Sequence, residues 1–199
     1  MCGIIGIASN KSVSANIIQS LKKLEYRGYD SAGIATITNG EIDEKKCTGR
    51  VDSLEKILFK NPSLGALGIG HVRWATHGVP SKINAHPHSS EEVSLVHNGI
   101  IENSSILKKN LEQKGYKFKS QTDTEVITAL LTDFLIHFDL VEAINKTLHK
   151  LQGSFALGIL FKKYSNIVVG ARRGSPLAVG YGHNENFLGS DSYALKSMT

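Results

Sequence analysis

The hydrophobic pattern divides the chain into short strands and helices of mixed order. Residues 3–8 form a near-continuous apolar run and read as a buried strand. In residues 14–24 the apolar positions Ile17, Ile18, Leu21 and Leu24 recur at helical spacing. Residues 32–38 read as a strand, and Asn39-Gly40 is a hairpin signal before a second strand at 41–47. A short helix is predicted over 52–59, with Asp52 or Ser53 as its cap and Asn61-Pro62 as its stop. Residues 66–72 make another apolar strand. From Arg73 to Glu92 periodicity is lost and Gly78, Pro80 and Pro87 interrupt the chain. A stretch of that kind inside a domain is usually functional or disordered, and its tryptophan and histidines argue for function.

The second half begins with a short strand at 93–97, ending at His97-Asn98-Gly99. A helix capped by Asn103 or Ser104 runs to Lys114 and is stopped by Gly115. Thr122 and Glu125 fit a capping box that opens a helix to about residue 137. A further helix is predicted over 140–151, then strands at 154–161, 166–172, 176–181 and 186–190, and a short helical start within 191–199. Helices do not alternate strictly with strands, which disfavours a doubly wound parallel sheet. The order predicts an α+β layered domain with mainly antiparallel sheets, with no internal repeat and no interdomain linker.

Composition narrows the class. A chain of 199 residues, 41% apolar and 21% charged, suits one soluble globular domain. No apolar run is long enough to cross a membrane, and the first residues lack the pattern of a signal peptide. The net charge of +5 is spread over scattered pairs such as Lys22-Lys23, Lys108-Lys109 and Arg172-Arg173. With no basic stripe interleaved with aromatics, solvated surface is the better reading than nucleic-acid binding. The cysteines are Cys2 and Cys47. If Cys2 is a nucleophile a structural disulfide is excluded, and a reducing cytoplasm fits. Cys47 receives no role.

Cys2 is the most informative position. Removal of Met1 leaves one residue carrying both a thiol and a free α-amine, and such a residue serves as its own nucleophile and general base. The alternative is a small buried residue that starts a strand. Four polar, glycine-punctuated segments accompany it: Tyr26 to Ser31, His71 to Gly78, His97 to Gly99, and Thr122 to Glu125. A thiolate attacking an amide generates an oxyanion, for which the Asn98 side chain and the Gly99 N–H are suitable neutral donors. Asn98-Gly99 is also a common turn. An amino-acid substrate needs a guanidinium for its carboxylate, for which Arg73 is placed, and a carboxylate for its ammonium, for which Asp123 is placed. Asp123 is equally readable as a helix-start acid. Five histidines lie between His71 and His97. The usual zinc spacings are absent, so loop structure is preferred over a metal site for His86 and His88. No dinucleotide or phosphate-loop fingerprint occurs.

With these residues placed, the chain resembles the class II glutamine amidotransferases of the N-terminal-nucleophile hydrolase superfamily. The segments that carry the resemblance are Cys2 to Gly6, Leu24 to Gly33, Arg73 to Gly78, Asn84 to His88, Val96 to Asn103 and Thr122 to Ile127. Together they are most similar to the glutaminase domains of glutamine–fructose-6-phosphate aminotransferases (glucosamine-6-phosphate synthases), and the resemblance covers the whole chain. It implies a four-layer α/β/β/α sandwich and cytoplasmic hydrolysis of L-glutamine through a cysteinyl thioester, with no cofactor and no metal. It assigns catalysis to Cys2, Asn98 and Gly99, and substrate binding to Arg73, Thr76, His77 and Asp123. Arg27 and Gly28 are placed beside the nucleophile, and Trp74 is similar to an indole that gates ammonia. The implied partners are L-glutamine and the sugar-isomerase domains of a full-length chain, which have no counterpart in residues 1–199; neither nucleic acid nor membrane is implied. The last elements of the usual glutaminase domain are also expected to be missing after Thr199. Two other readings stand beside this one: a glutamine-binding regulatory module without turnover, and a glutaminase serving another acceptor.

Overall fold

The computed structural model describes residues 2–75, 78–196 and 198–199. Strand β1 (Gly3–Ala8) is followed by helix α1 (Ser14–Leu24), a short 3₁₀ turn at Glu25–Arg27, and the hairpin β2 (Ser31–Thr38) and β3 (Glu41–Thr48). Helix α2 (Val51–Lys60) leads into β4 (Leu67–Arg73), the two-residue β5 (His88–Ser89) and β6 (Val93–Ile101). Helices α3 (Ser104–Gln113), α4 (Asp123–Leu135) and α5 (Leu140–Lys150) come next. The chain continues with β7 (Gly153–Phe161), β8 (Val168–Arg173), β9 (Ala178–Gly182), β10 (Glu185–Gly189) and α6 (Ser192–Leu195). The strands form one sheet of order β3-β2-β4-β1-β10-β9 and another of order β5-β6-β7-β8. Their pairings are antiparallel, as the element order predicts.

Three apolar layers follow from strand alternation. In β1, Ile5 and Ile7 turn toward α1, α2 and α6, where they join Ile17, Leu21, Leu54 and Leu195. Ile4 turns the other way and meets Ile69 of β4 with Val96, Ala156 and Leu160 of the second sheet. In β6, Val93 and Leu95 pack against α4 through Ile127 and Leu131. The outcome is helices, sheet, sheet, helices: the four-layer sandwich that the resemblance implies.

Several boundaries differ from the sequence reading. Strand β6 does not stop at His97; it continues to Ile101, so Asn98-Gly99 is not a turn but a paired stretch opposite Ala156 and Phe155. The pairing with β7 overrides the local turn preference of the dipeptide. Helix α2 starts one residue earlier than predicted, after Arg50, and has no side-chain cap. Its first N–H, on Val51, is taken instead by the Glu25 carboxylate at 2.7 Å. Asn103 likewise does not cap α3; it binds Lys150 O and Gln152 N, tying the start of that helix to the end of α5. Thr122 does cap α4, while Glu125 reaches back to Ser120 and Lys119 and not to Thr122.

Ile69 lies in the layer between the sheets and is fully buried. Ile69→Ala is expected to lower stability by about 2–5 kcal/mol, read as a reduced urea midpoint at unchanged m-value.

Candidate functional site

The polar site continues the rows that build the inter-sheet layer. Along β4 the residues facing that layer are Leu67, Ile69, His71 and Arg73. The first two are apolar core; the last two are buried polar side chains. Along β6 the same face holds Ser94, Val96 and Asn98. Cys2 stands one step before β1, in the row of Ile4. The β1–β4 register, with Gly3 opposite Val72, carries Cys2 alongside Arg73. Three rows that are apolar in the middle of the molecule therefore become polar at one shared end.

Cys2, Arg73, Trp74, Gly99 and Asp123 line one small cavity of about 30 Å³, with His86, His97, Thr122 and Thr124. The sulfur is not sealed in the core. Its Sγ accepts from Trp74 N at 3.3 Å and lies 3.5 Å from Trp74 O. Among the described residues no imidazole hydrogen-bonds to it. Burial pushes the thiol above its ordinary value, opposed by the Trp74 amide and the nearby Arg73 charge. The sulfur at rest is therefore a thiol that needs a base at the moment of attack.

The Asn98 Nδ2 donates to Cys2 O at 3.0 Å, which seats its amide against the residue that carries the sulfur. Gly99 has φ +131°, and an added Cβ would stand 2.1 Å from Ser154 O, so only glycine fits there. Arg73 is almost fully buried and donates from Nη2 to Gly78 O at 3.3 Å. Asp123 is the first residue of α4, yet its carboxylate leaves its own helix. Oδ2 accepts from Ile101 N at 2.8 Å, and Oδ1 lies 3.6 Å from His97 Nδ1. The capping role belongs to Thr122. Thr76 and His77 lie outside the described residues.

Gly28 packs against the backbone of Arg73 and Trp74, where a Cβ would come within 2.5 Å of Arg73 C. Arg27 is held elsewhere, by Asp191 at 2.8 Å, in a cluster where Tyr26 donates to the same carboxylate. Trp74 is about half exposed and meets Tyr29 edge-on at 5.6 Å.

Sequence reasoning passed over the residues behind this front. Asp30 accepts from Ala75 N and from Ser31 Oγ, and its own N–H donates to Arg73 O, so it pins the chain on both sides of Trp74. Thr124 bridges His86 Nε2 at 2.7 Å and His97 Nδ1 at 3.1 Å. His88 Nε2 meets the capping hydroxyl of Thr122 at 2.9 Å. His86 and His88 are thus each engaged by a threonine of the α4 start. Among the described residues no cluster of three or more His, Cys, Asp or Glu is arranged to hold a metal. The available signal was parity: His71 shares the row of Arg73, two positions on.

Comparison with known proteins now bears on the class. Residues 71–197 match the model of the glutamine amidotransferase domain. The chain belongs to the glutamine amidotransferase family. It is 50% identical over its whole length to a glutamine–fructose-6-phosphate aminotransferase of Zymomonas mobilis and 52% identical to one of Mesorhizobium japonicum. In both cases the chain spans 33% of the relative's length. Among solved structures, the glutamine phosphoribosylpyrophosphate amidotransferase of B. subtilis superposes with a TM-score of 0.86 at 28% identity, over 98% of this chain and 43% of that one. This amidotransferase domain therefore has the N-terminal-nucleophile hydrolase fold.

The buried imidazoles of the amidotransferase domain give it a pH signature. Burial lowers His71 and His88 to about 3, against an ordinary value near 6.5, and moves His86 the same way. Between those limits the unfolded chain binds protons that the folded chain does not, so stability falls as the pH drops from about 6.5 toward 3. Each imidazole contributes a slope of about 1.4 kcal/mol per pH unit in that window. Urea midpoints should fall steadily from pH 7 to pH 5; a flat profile would mean that water or a countercharge reaches the rings.

Proposed function

We propose that this chain is a glutaminase domain that hydrolyses L-glutamine to glutamate and ammonia through a thioester on Cys2. One observation carries the reading: a thiol, a buried guanidinium and a carboxylate line one cavity, and the Asn98 amide is bonded to the residue that carries the thiol. Family membership and the amidotransferase fold support the same activity.

Loss of Met1 frees the Cys2 α-amine. That amine takes the thiol proton as Sγ attacks the side-chain carbonyl carbon of glutamine. No described imidazole bonds to the sulfur, which favours an amine base over a Cys–His pair. One N–H of Asn98 is committed to Cys2 O; the other, with the Gly99 N–H, receives the developing oxyanion. Collapse of the intermediate expels ammonia, which takes the proton held on the amine. Water then attacks the thioester, gives a proton to the amine, and glutamate leaves as the sulfur recovers that proton. Arg73 grips the substrate α-carboxylate and Asp123 its α-ammonium, assisted by Thr76 and His77. Gly28 admits the Arg73–Trp74 backbone, Arg27 braces that side through Asp191, and Trp74 covers the cavity mouth.

The relatives named above are glutamine–fructose-6-phosphate aminotransferases three times as long as this chain. We infer that ammonia made here serves the same acceptor, fructose 6-phosphate, in hexosamine formation, with sugar-isomerase domains as the partner and the cytoplasm as the compartment. Residues 1–199 belong to the glutaminase unit of that assembly.

Three variants test the roles. Cys2→Ala should abolish glutamate release by chain whose intact mass shows Met1 removed; unchanged release would falsify the proposal. Arg73→Ala and Asp123→Asn should raise KM for glutamine by roughly 10–150-fold each, the effect of losing a hydrogen bond to a charged group. A retained Met1 should silence the parent chain.

A further inference from the structure

We propose that His71 is a positioning residue for the reaction: its Nε2–H fixes the side-chain amide of Asn98 so that the NH₂ faces Cys2. The inference rests on the functional reading above and deepens it.

The His71 ring is fully buried in the layer between the sheets. Its Nε2 lies 3.0 Å from His97 O and 3.1 Å from Asn98 Oδ1. A backbone carbonyl only accepts, so Nε2 must carry the proton and donate to both oxygens. That assignment decides the Asn98 amide. With Oδ1 toward His71, Nδ2 is left to donate to Cys2 O, as its 3.0 Å distance requires. The flipped amide would set N–H against N–H at His71 and oxygen against oxygen at Cys2, losing both bonds at a largely buried side chain.

The tautomer is fixed from the other side as well. His71 Nδ1 is buried and has no hydrogen-bond partner among the described residues. A proton placed there would find no acceptor. The ring plane is set by stacking on His86 at 4.3 Å and 22°. Burial keeps the ring neutral to about pH 3, so it does not gain a second proton in the working range. His71 therefore presents one proton in one direction. Because β4 and β6 belong to different sheets, that bond also ties the row of Arg73 to the row of Asn98.

A residue of this kind acts on the oxyanion and not on substrate capture. It is tested on the full chain with Met1 removed, by comparing His71→Met, which keeps bulk without the donor, with His71→Gln, whose amide N–H reaches a similar position. Removing one oxyanion donor outright costs about 10²–10³ in kcat, so loosening it in His71→Met should cost about 10–100-fold. KM for glutamine should stay within about two-fold. Alkylation of Cys2 by iodoacetamide, which forms no oxyanion, should proceed at the parent rate. His71→Gln should recover most of kcat. In an Asn98→Ala background His71→Met should add less than about two-fold, because the group it aims is gone.

An unchanged kcat in folded His71→Met overturns the proposal. So does a parallel loss of kcat, alkylation rate and KM, or a full additional loss in the Asn98→Ala background. Should the methionine variant fail to fold, His71→Gln is read alone: retained kcat supports the inference, and a loss of equal size with and without Asn98 overturns it. A parent chain that releases no glutamate overturns the functional reading instead.

Discussion

The structure depends on the two-residue alternation of strands that are packed on both faces. Each strand of the inner layers must serve a helix layer on one side and the opposite sheet on the other. In β4 this assigns Leu67 and Ile69 to the inter-sheet core and, with no change of parity, His71 and Arg73 to its polar end. The same parity in β6 places Val96 in the core and Asn98 at the end. The cavity is thus an extension of the core, and its side chains inherit the rigidity of the sheets that hold them. A one-residue slip in β4 would turn Arg73 toward the helices and Val72 into the site.

Polar side chains at the end of a core must be satisfied within it. The chain meets this in part, with short-range partners drawn from distant segments: Thr124 between two imidazoles, Thr122 against His88, and Ile101 N on Asp123; one ring nitrogen each of His71, His86 and His97 has no partner among the described residues. Helix α4 is central to this arrangement. Its cap, its first carboxylate and its first-turn hydroxyl each face a different strand residue. Burial holds His71, His86 and His88 neutral, which suits a scaffold that must hold amide and carboxylate groups still.

The site also shows how an enzyme of this type separates two demands. A partly buried sulfur has its thiol stabilised, which opposes attack; the charge and dipoles around it oppose that effect only in part. A base that arrives on the same residue as the sulfur needs no further side chain in a crowded cavity. The bond from Asn98 to the Cys2 carbonyl holds Cys2 by its backbone and leaves its side chain lining the cavity.

Much of this was legible in the residues themselves. Helix α1 and the Asn39-Gly40 hairpin were read close to their observed bounds because their signals are local: apolar spacing in one, a left-handed pair in the other. Cys2, Arg73, Gly99 and Asp123 were singled out by chemical type, and the fold brings them to one cavity. Local preference failed where long-range pairing outweighed it, as at Asn98-Gly99, and where a cap was supplied by a residue far along the chain, as Glu25 does for Val51. His71, Asp30 and Thr124 fell within the singled-out segments but received no role, because their importance lies in what stands across from them. The sequence by itself determined which reactive and charged side chains this protein carries and the alternation that buries each strand. Only the tertiary structure decided which groups meet and in which direction each hydrogen bond runs, since register between two sheets and the start of one helix are set by packing among distant residues.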